Sequence, residues 1–291
     1  MSCSKACTYF LSTGLMTLFA IAGIVFSSLA GSGIGIDLGI FHNTIGNLSH
    51  FYQLEATPAD WTFSIWGFIY CFEMLWIVYA LSTLCRSTKQ GPVYSVAPVL
   101  PPGFTSLYSI NQVLMVGWLF LWDRKYISYS GLDLLFVFVT GALCLWINYR
   151  QVDQYKSYMQ QNLMGDLVAN RLLVQNGIAM YTTWTLVATL INGAVVLKYE
   201  AMVDGELAST IMYIVIILVA TLYFSLDMSV WEKYTRYTLT PYIVVIVASL
   251  GSLNFDFDLD TTLSICEFVA LILGCVFLIG KLIRTCFSAT C

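Results

Sequence analysis

The sequence predicts an all-α fold, a polytopic bundle of about eight transmembrane helices, from its composition and from the spacing of its apolar segments. Of the 291 residues, 58% are hydrophobic and only 10% are charged, whereas about a quarter of the residues in a soluble domain are charged. A helix that crosses a bilayer needs about 20 apolar residues. The composition therefore accommodates eight spans and excludes a soluble enzyme, a disordered chain and a nucleic-acid-binding protein.

Charged and turn residues divide the apolar sequence into eight segments, at 8–30, 61–84, 104–122, 126–149, 172–197, 208–226, 237–254 and 262–283. The first segment is too long for the core of a signal peptide, and we expect it to be retained as a membrane anchor. Only residues 123–125 separate the third segment from the fourth, which predicts a tight helical hairpin.

Two longer connections interrupt this series. The connection 31–60 carries five glycines, both histidines of the chain and the glycosylation sequon at Asn47. We expect His42 and His50 to face solvent, because two histidines without nearby cysteines are weak indicators of a metal site. The connection 86–103 contains four prolines, which favour an extended path over the surface.

The basic residues orient the eight-span arrangement. If the N-terminus is cytoplasmic, ten basic residues fall inside and three fall outside, which is the bias of the positive-inside rule. The three outside are Arg124, Lys125 and Lys198. We therefore expect a multi-pass integral membrane protein with both termini in the cytoplasm. This bias favours a plasma membrane, an endoplasmic reticulum or a bacterial inner membrane.

Three carboxylates lie within the apolar segments, where an ionisable group needs a partner or a function. They are Glu73, Asp133 and Glu267. Glu73 has no mid-span Lys or Arg to pair with, so it is either a proton carrier, a hydrogen-bond donor to a ligand, or a partner in an ordinary bond between helices.

Aromatic residues form two helical stripes. Seven of the eight tryptophans lie between residues 61 and 184, and an interfacial belt accounts for Trp61, Trp122 and Trp146. Trp66, Tyr70 and Glu73 share one helix face, and Trp184, Ala188 and Asn192 share another. Large flat side chains that face inward beside a few polar groups suit a flat apolar ligand, and packing between helices is the alternative.

Three stretches carry a resemblance to a known family: TPADWTFSIWGFIY at 57–70, GWLFLW at 117–122 and WTLVATLIN at 184–192. They resemble the second, third and fifth helices of the tryptophan-rich sensory protein (TspO) / translocator protein family. Asp133 lies where that family has a fourth-helix aspartate. The resemblance covers about residues 8–197, so we divide the chain into a five-helix core at 1–200 and an additional three-helix membrane segment at 201–291.

The resemblance implies a protein that binds porphyrins or sterols within the bundle, with the 31–60 connection as a lid, and it points to a mitochondrial outer membrane. No cofactor is expected beyond such a ligand. The candidate ligand-binding residues are Trp61, Phe63, Trp66, Tyr70, Glu73, Trp118, Trp122, Asp133, Trp184, Ala188 and Asn192.

The leading hypothesis is therefore a non-enzymatic membrane protein that binds a flat hydrophobic ligand for transport or sensing. The sequence contains no constellation of acid, base and nucleophile that would support an enzyme. A proton-coupled or lipid transporter that uses Glu73 and Asp133 is the second hypothesis, and a seven-helix-like receptor is the third. Expected partners are membrane lipids and a hydrophobic small molecule, with a homodimer as an option and no nucleic acid.

Overall fold

The computed structural model describes residues 3–253 and 259–289, and these residues form a helical bundle with one small hairpin. The main helices are α1 Cys3–Gly31, α2 Ile65–Cys85, α3 Pro102–Asp123, α4 Ile127–Asn162, α5 Met164–Tyr199, α6 Gly205–Asp227, α7 Thr240–Leu253 and α8 Thr262–Ala289. All except α7 are long and apolar enough to cross a membrane. The fold class is therefore confirmed: the protein is an all-α, multi-pass integral membrane protein.

The connection between α4 and α5 differs from the predicted loop. The helix α4 continues to Asn162, well beyond the predicted end at residue 149, and α5 begins at Met164. Residues 150–162 contain neither Gly nor Pro and include several good helix formers, so nothing in them stops the helix. At about 1.5 Å per residue, the 36 residues of α4 span about 54 Å and project beyond a hydrocarbon core about 30 Å thick.

The proline-rich connection after α2 is folded against the bundle, so its predicted extended course over the surface is wrong. The strands β1 (Ser87–Thr88) and β2 (Gly91–Pro92) form a hairpin, and a short helix follows at Val93–Val96. Its apolar side chains are buried, and Asn148 of α4 donates to the carbonyl of Val99 from 3.0 Å. Burial of these apolar residues outweighs the preference of proline for an extended chain.

The connection 32–59 contains two short helices, Ile34–Asp37 and Ile45–Phe51. Thr44 caps the second helix, because its hydroxyl accepts from the N–H of Asn47 at 3.1 Å. Phe41, Leu48 and Leu54 are buried, so their burial fixes the connection on the bundle.

The predicted hairpin between α3 and α4 is confirmed. The N–H of Lys125 donates to Trp122 and the N–H of Tyr126 donates to Leu121, which is the pattern of a Schellman motif. Lys125 has a φ of +62°, the left-handed conformation that this motif requires.

The helix α5 joins the first five helices to the last three. It packs against α2 and α4 on one side and against α6 and α7 on the other. Residues Asn170–Gln175 form a π-helical turn, and Asn176 directly after it binds the start of α7. The Asn176 side chain accepts from the N–H of Leu239 at 2.9 Å and donates to the carbonyl of Tyr237 at 2.8 Å. The backbone carbonyl of Asn176 accepts from the Thr240 hydroxyl at 2.7 Å.

A buried ion pair fixes α8 to α6. Lys281 donates to Asp227 from 2.6 Å, and their side chains are 1% and 0% exposed. The hydroxyls of Tyr242 and Thr235 also donate to the Asp227 carboxylate. Each buried charge therefore has an opposite charge beside it, as a low-dielectric environment requires.

One apolar core crosses the predicted boundary at residue 200. It includes Trp118 and Trp184 from the first part of the chain and Ile216, Val244 and Ala270 from the second. The division into a five-helix core and a three-helix segment stays a prediction, since helices from both parts share this core.

Candidate functional site: an aromatic cavity

A cavity of about 70 Å³ lies between α2, α3, α4, α5 and the connection 32–59. Seven of the predicted site residues line it: Phe63, Trp66, Trp118, Trp122, Trp184, Ala188 and Asn192. The stripes at helical spacing on α2 and α5 therefore face one another across a common space.

The aromatic rings of the cavity contact one another. Trp66 stacks on Tyr70 with ring centroids 5.6 Å apart, and its ring meets that of Trp184 edge to face at 6.4 Å. Tyr52 of the connection lies 5.8 Å from the ring of Trp122. Trp122 is only 7% exposed, so it lies inside the bundle and not in a lipid-facing belt. These rings give the cavity flat apolar walls.

Three buried polar atoms of cavity-lining residues have no hydrogen-bond partner within the described part of the chain. They are the indole nitrogens of Trp118 and Trp122 and the side-chain oxygen of Asn192. The Asn192 amide nitrogen donates to the Ser130 hydroxyl from 2.8 Å, which fixes the orientation of the side chain. Since buried polar groups are usually paired with protein or water, these two donors and one acceptor are available to a molecule inside the cavity.

Four predicted site residues lie outside the cavity lining. Tyr70 stacks against the ring of Trp66 and does not itself line the cavity. Trp61 is 40% exposed on the 3₁₀ turn Asp60–Ser64 that precedes α2. Asp133 lies against α3, where its carboxylate would be 3.6 Å from a Cβ added at Gly117. The next residue, Leu134, faces the cavity instead.

Glu73, the fourth of these, takes part in a hydrogen bond between helices. It is 3% exposed and accepts from the Tyr108 hydroxyl at 2.7 Å. Tyr108 packs beside Tyr181, with ring centroids 6.5 Å apart, and Tyr181 donates to Asn111 from 2.8 Å. Glu73 thus belongs to a buried cluster of polar side chains from α2, α3 and α5, in which the Glu73–Tyr108 and Asn111–Tyr181 hydrogen bonds are joined by a ring contact.

The third intramembrane carboxylate, Glu267, also has a partner within the bundle. It accepts from the hydroxyl of Ser252, which in turn lies 3.1 Å from the carbonyl of Ala56. The carboxylate in α8 is therefore connected through α7 to the connection that covers the cavity.

Sequence reasoning missed the cavity-lining residues Ile45, Ser49, Tyr52, Thr57, Pro58, Leu134, Ile191 and Val195. Ile191 and Val195 continue the Trp184 stripe at helical spacing and could have been found by extending it. The contribution of Tyr52 depends on how the connection folds, and the local sequence carries no signal for that.

Polar contacts fix both ends of the connection. The N–H groups of His42 and Asn43 donate to one oxygen of Asp123 from 2.9 and 2.8 Å. Near the other end, Lys198 lies 2.9 Å from the Glu55 carboxylate, and the N–H of Ala59 donates to the carbonyl of Gly251 in α7 from 2.9 Å. Of these contacts, only the Lys198–Glu55 pair is a surface ion pair, and such pairs are individually weak.

The surface of the connection carries the remaining candidates. His42 and His50 are exposed, as expected, and each lies beside an aspartate. Asn47 is exposed and its side chain is accessible. Among the residues that the structure describes, no group of three or more His, Cys, Asp or Glu side chains could hold a metal ion.

Comparison with known proteins identifies the family. A family model described as "TSPO-like protein" matches residues 13–279, which extends well beyond the part that the motifs covered and includes most of α8. No curated protein and no solved structure matches the chain. The match spans most of the sequence, and the chain belongs to the family of TSPO-like proteins.

Proposed function

We propose that the protein binds a flat hydrophobic ligand, a porphyrin or a sterol, in the aromatic cavity, and that it does so without converting it chemically. The observation that carries this proposal is the meeting of Trp66, Trp118, Trp122 and Trp184 around one space beside unpartnered polar atoms. Flat aromatic walls favour a flat ligand, and the few polar atoms would fix its orientation.

The volume of the cavity indicates how a ligand would be admitted. Pockets for small molecules typically measure about 300–1,000 Å³, against about 70 Å³ here, so the proposal requires the cavity to widen when the ligand binds. The connection 32–59 supplies Ile45, Ser49 and Tyr52 to the cavity wall. Outward movement of this lid would enlarge the cavity. It would expose buried apolar side chains such as Leu48 and would break surface contacts such as Lys198–Glu55.

Titration of the purified protein with a porphyrin tests the proposal, with Soret absorbance and tryptophan quenching as readouts. Trp66→Phe and Trp184→Phe should each weaken binding, because both remove part of the cavity wall. Trp146→Phe is the matched control, since Trp146 is 39% exposed and lies outside this cavity. Unchanged affinity in both cavity variants would contradict the proposed site.

The second candidate function is proton-coupled or lipid transport that uses intramembrane carboxylates. Glu73 supports it, because a buried carboxylate within a membrane bundle, here hydrogen-bonded to Tyr108, is typical of residues that carry protons. Asp133 is the other carboxylate that this function would use. Substrate-dependent proton flux into liposomes should disappear in Glu73→Gln, and a flux that persists in this variant would exclude the role of Glu73.

Sensing of the bound ligand remains part of the proposal, as does a cytoplasmic location of both termini. The ten-to-three distribution of basic residues supports this orientation. Labelling of Cys286, which is exposed near the end of α8, by an impermeant thiol reagent in sealed and opened cells would test the orientation.

A further inference from the structure

A second and larger cavity lies between the first five helices and the appended ones. It is a groove of about 470 Å³ with walls from α4, α5, α6 and α7. Val139 and Leu143 of α4 and Val219 of α6 line it and are 40%, 47% and 38% exposed. The groove therefore opens between α4 and α6 on the outer surface of the bundle, the surface that faces lipid.

The length of the groove corresponds to one leaflet. Along α4 its lining runs from Phe138 to Tyr149. At about 1.5 Å per residue, the eleven steps between these two residues rise roughly 16 Å. Half of a hydrocarbon core about 30 Å thick is about 15 Å. The groove thus reaches from one membrane interface to about the middle of the bilayer.

Aromatic residues mark the interfacial end of the groove. Trp146 and Trp231 line it there with ring centroids 6.5 Å apart, and Tyr234 lies 5.4 Å from Trp146. Tryptophan and tyrosine concentrate where hydrocarbon meets headgroups. This places the adjoining charged residues at headgroup level.

One positive charge at this end is not neutralised. The Arg150 guanidinium lies 5.8 Å from the centre of the Trp146 ring, and no carboxylate of the described residues forms an ion pair with it. The neighbouring cation Lys233 is instead paired with Asp153 at 3.3 Å. Arg150 therefore offers an anion a charged, hydrogen-bonding partner beside the mouth of the groove.

The groove itself offers almost no polar partner. The hydroxyls of Tyr149 and Tyr242 donate to Thr238 and Asp227, away from the groove, so these residues present their rings to it. The Thr183 hydroxyl donates to the carbonyl of Ala179 within its own helix. The buried Thr182 hydroxyl has no hydrogen-bond partner among the described residues and lies against Gly141 of α4, so it is one polar atom in an otherwise apolar lining. An occupant must therefore be apolar along its length, which suits an alkyl chain.

We propose that this groove binds one acyl chain of an anionic glycerophospholipid, with the lipid phosphate at Arg150. The length of the groove, its opening to the bilayer and the free charge at its interfacial end together select this occupant. The site is separate from the aromatic cavity, and it gives the junction of the two helix groups a lipid-binding role.

Native mass spectrometry of the full-length protein tests the proposal. Phosphatidylglycerol and phosphatidylcholine with the same acyl chains are titrated into delipidated protein. Arg150→Gln should weaken phosphatidylglycerol binding about fivefold, the effect of one basic residue near a charged lipid, and leave phosphatidylcholine unchanged. Ala142→Phe and Ala220→Phe place a large ring in the groove from α4 and α6. Each should lower the affinity for both lipids about tenfold or more.

Two matched controls lie outside the groove. Leu135→Phe adds bulk to the lipid-facing side of α4, and Arg284→Gln removes an exposed charge from α8. Both should leave lipid binding unchanged, and circular dichroism identifies any variant that fails to fold. Equal lipid binding by all folded variants would overturn the proposal, as would displacement of the phospholipid by a sterol at equal concentration.

Discussion

Replacement of Lys281 by Met is expected to lower the free energy of unfolding by about 3–5 kcal/mol, because it leaves the Asp227 carboxylate buried without its counter-charge. Both side chains are at most 1% exposed, and their charged atoms are 2.6 Å apart. Tyr242 and Thr235 would still donate to the carboxylate, but hydrogen bonds from neutral groups do not replace a cation in a low-dielectric environment.

The double variant Asp227→Asn/Lys281→Met separates the cost of an unpaired charge from the cost of lost packing. It removes both charges, and Asn can still accept from Tyr242 or Thr235. Replacement of a buried ion pair by neutral groups is often close to neutral. We expect a loss of about 2 kcal/mol or less, well below the sum of the two single variants.

Equilibrium unfolding in mixed micelles with increasing SDS, followed by circular dichroism, measures these differences. Lys233→Met is the matched control, since Lys233 forms an exposed ion pair with Asp153. Loss of that pair should leave the SDS concentration at the midpoint of unfolding unchanged. The single variants Lys281→Met and Asp227→Asn complete the cycle. If the double variant loses as much stability as these two added together, the two charges do not stabilise each other, which would refute the prediction.

Three further predictions concern packing, backbone conformation and pH. Gly251→Ala should destabilise the protein by about 1–3 kcal/mol, because the added Cβ would lie 2.1 Å from the Thr62 hydroxyl. Gly193→Ala, with nothing within 4 Å, should be neutral or stabilising, and equal thermal stability of the two variants would argue against this packing. Met202→Gly should raise the free energy of unfolding by about 0.5–1 kcal/mol, because Met202 has a φ of +54° and is 82% exposed; Met202→Ala keeps the Cβ and should show no gain. The hydrogen bond from Arg236 holds the pKa of Glu232 below its ordinary value of 4.5, so the pair stabilises the fold above that pH, and the contribution is lost as the pH falls through the lowered pKa. When the free energy of unfolding is measured against pH, it should therefore fall less steeply below pH 4.5 in Glu232→Gln than in the unmodified protein. The same pH dependence in both proteins would refute this role.

The fold was predictable to the extent that hydrophobicity determines it. Apolar length and the three-residue link at 123–125 located the helices, because a bilayer demands continuous helical spans. The ends of helices were less accessible: residues 150–162 are polar, yet they remain helical because no residue among them breaks a helix. The predicted course of residues 86–103 failed because burial of Val99 and its neighbours is a tertiary effect.

The candidate site was predictable where it lies on regular helices. Trp66 on α2 and Trp184 on α5 follow helical spacing, and the structure places both on the same cavity. Glu73 shares the face of Trp66 by spacing alone, but its side chain lies about two turns further along the helix and meets a different neighbour, Tyr108. Tyr52 could not be predicted, because its position depends on the folding of a long connection.

The hydrogen bonds of Asn176 have a consequence for biosynthesis. Its side chain lies in the fifth span, whereas two of the groups that it binds, the carbonyl of Tyr237 and the N–H of Leu239, directly precede the seventh. Helices insert in the order of translation, so this amide has no partner in α7 until the ribosome has made about sixty further residues, the separation of Asn176 from Tyr237. The fifth helix must therefore wait in the membrane with this amide incompletely paired, and a chain truncated after α6 would leave the amide without these partners.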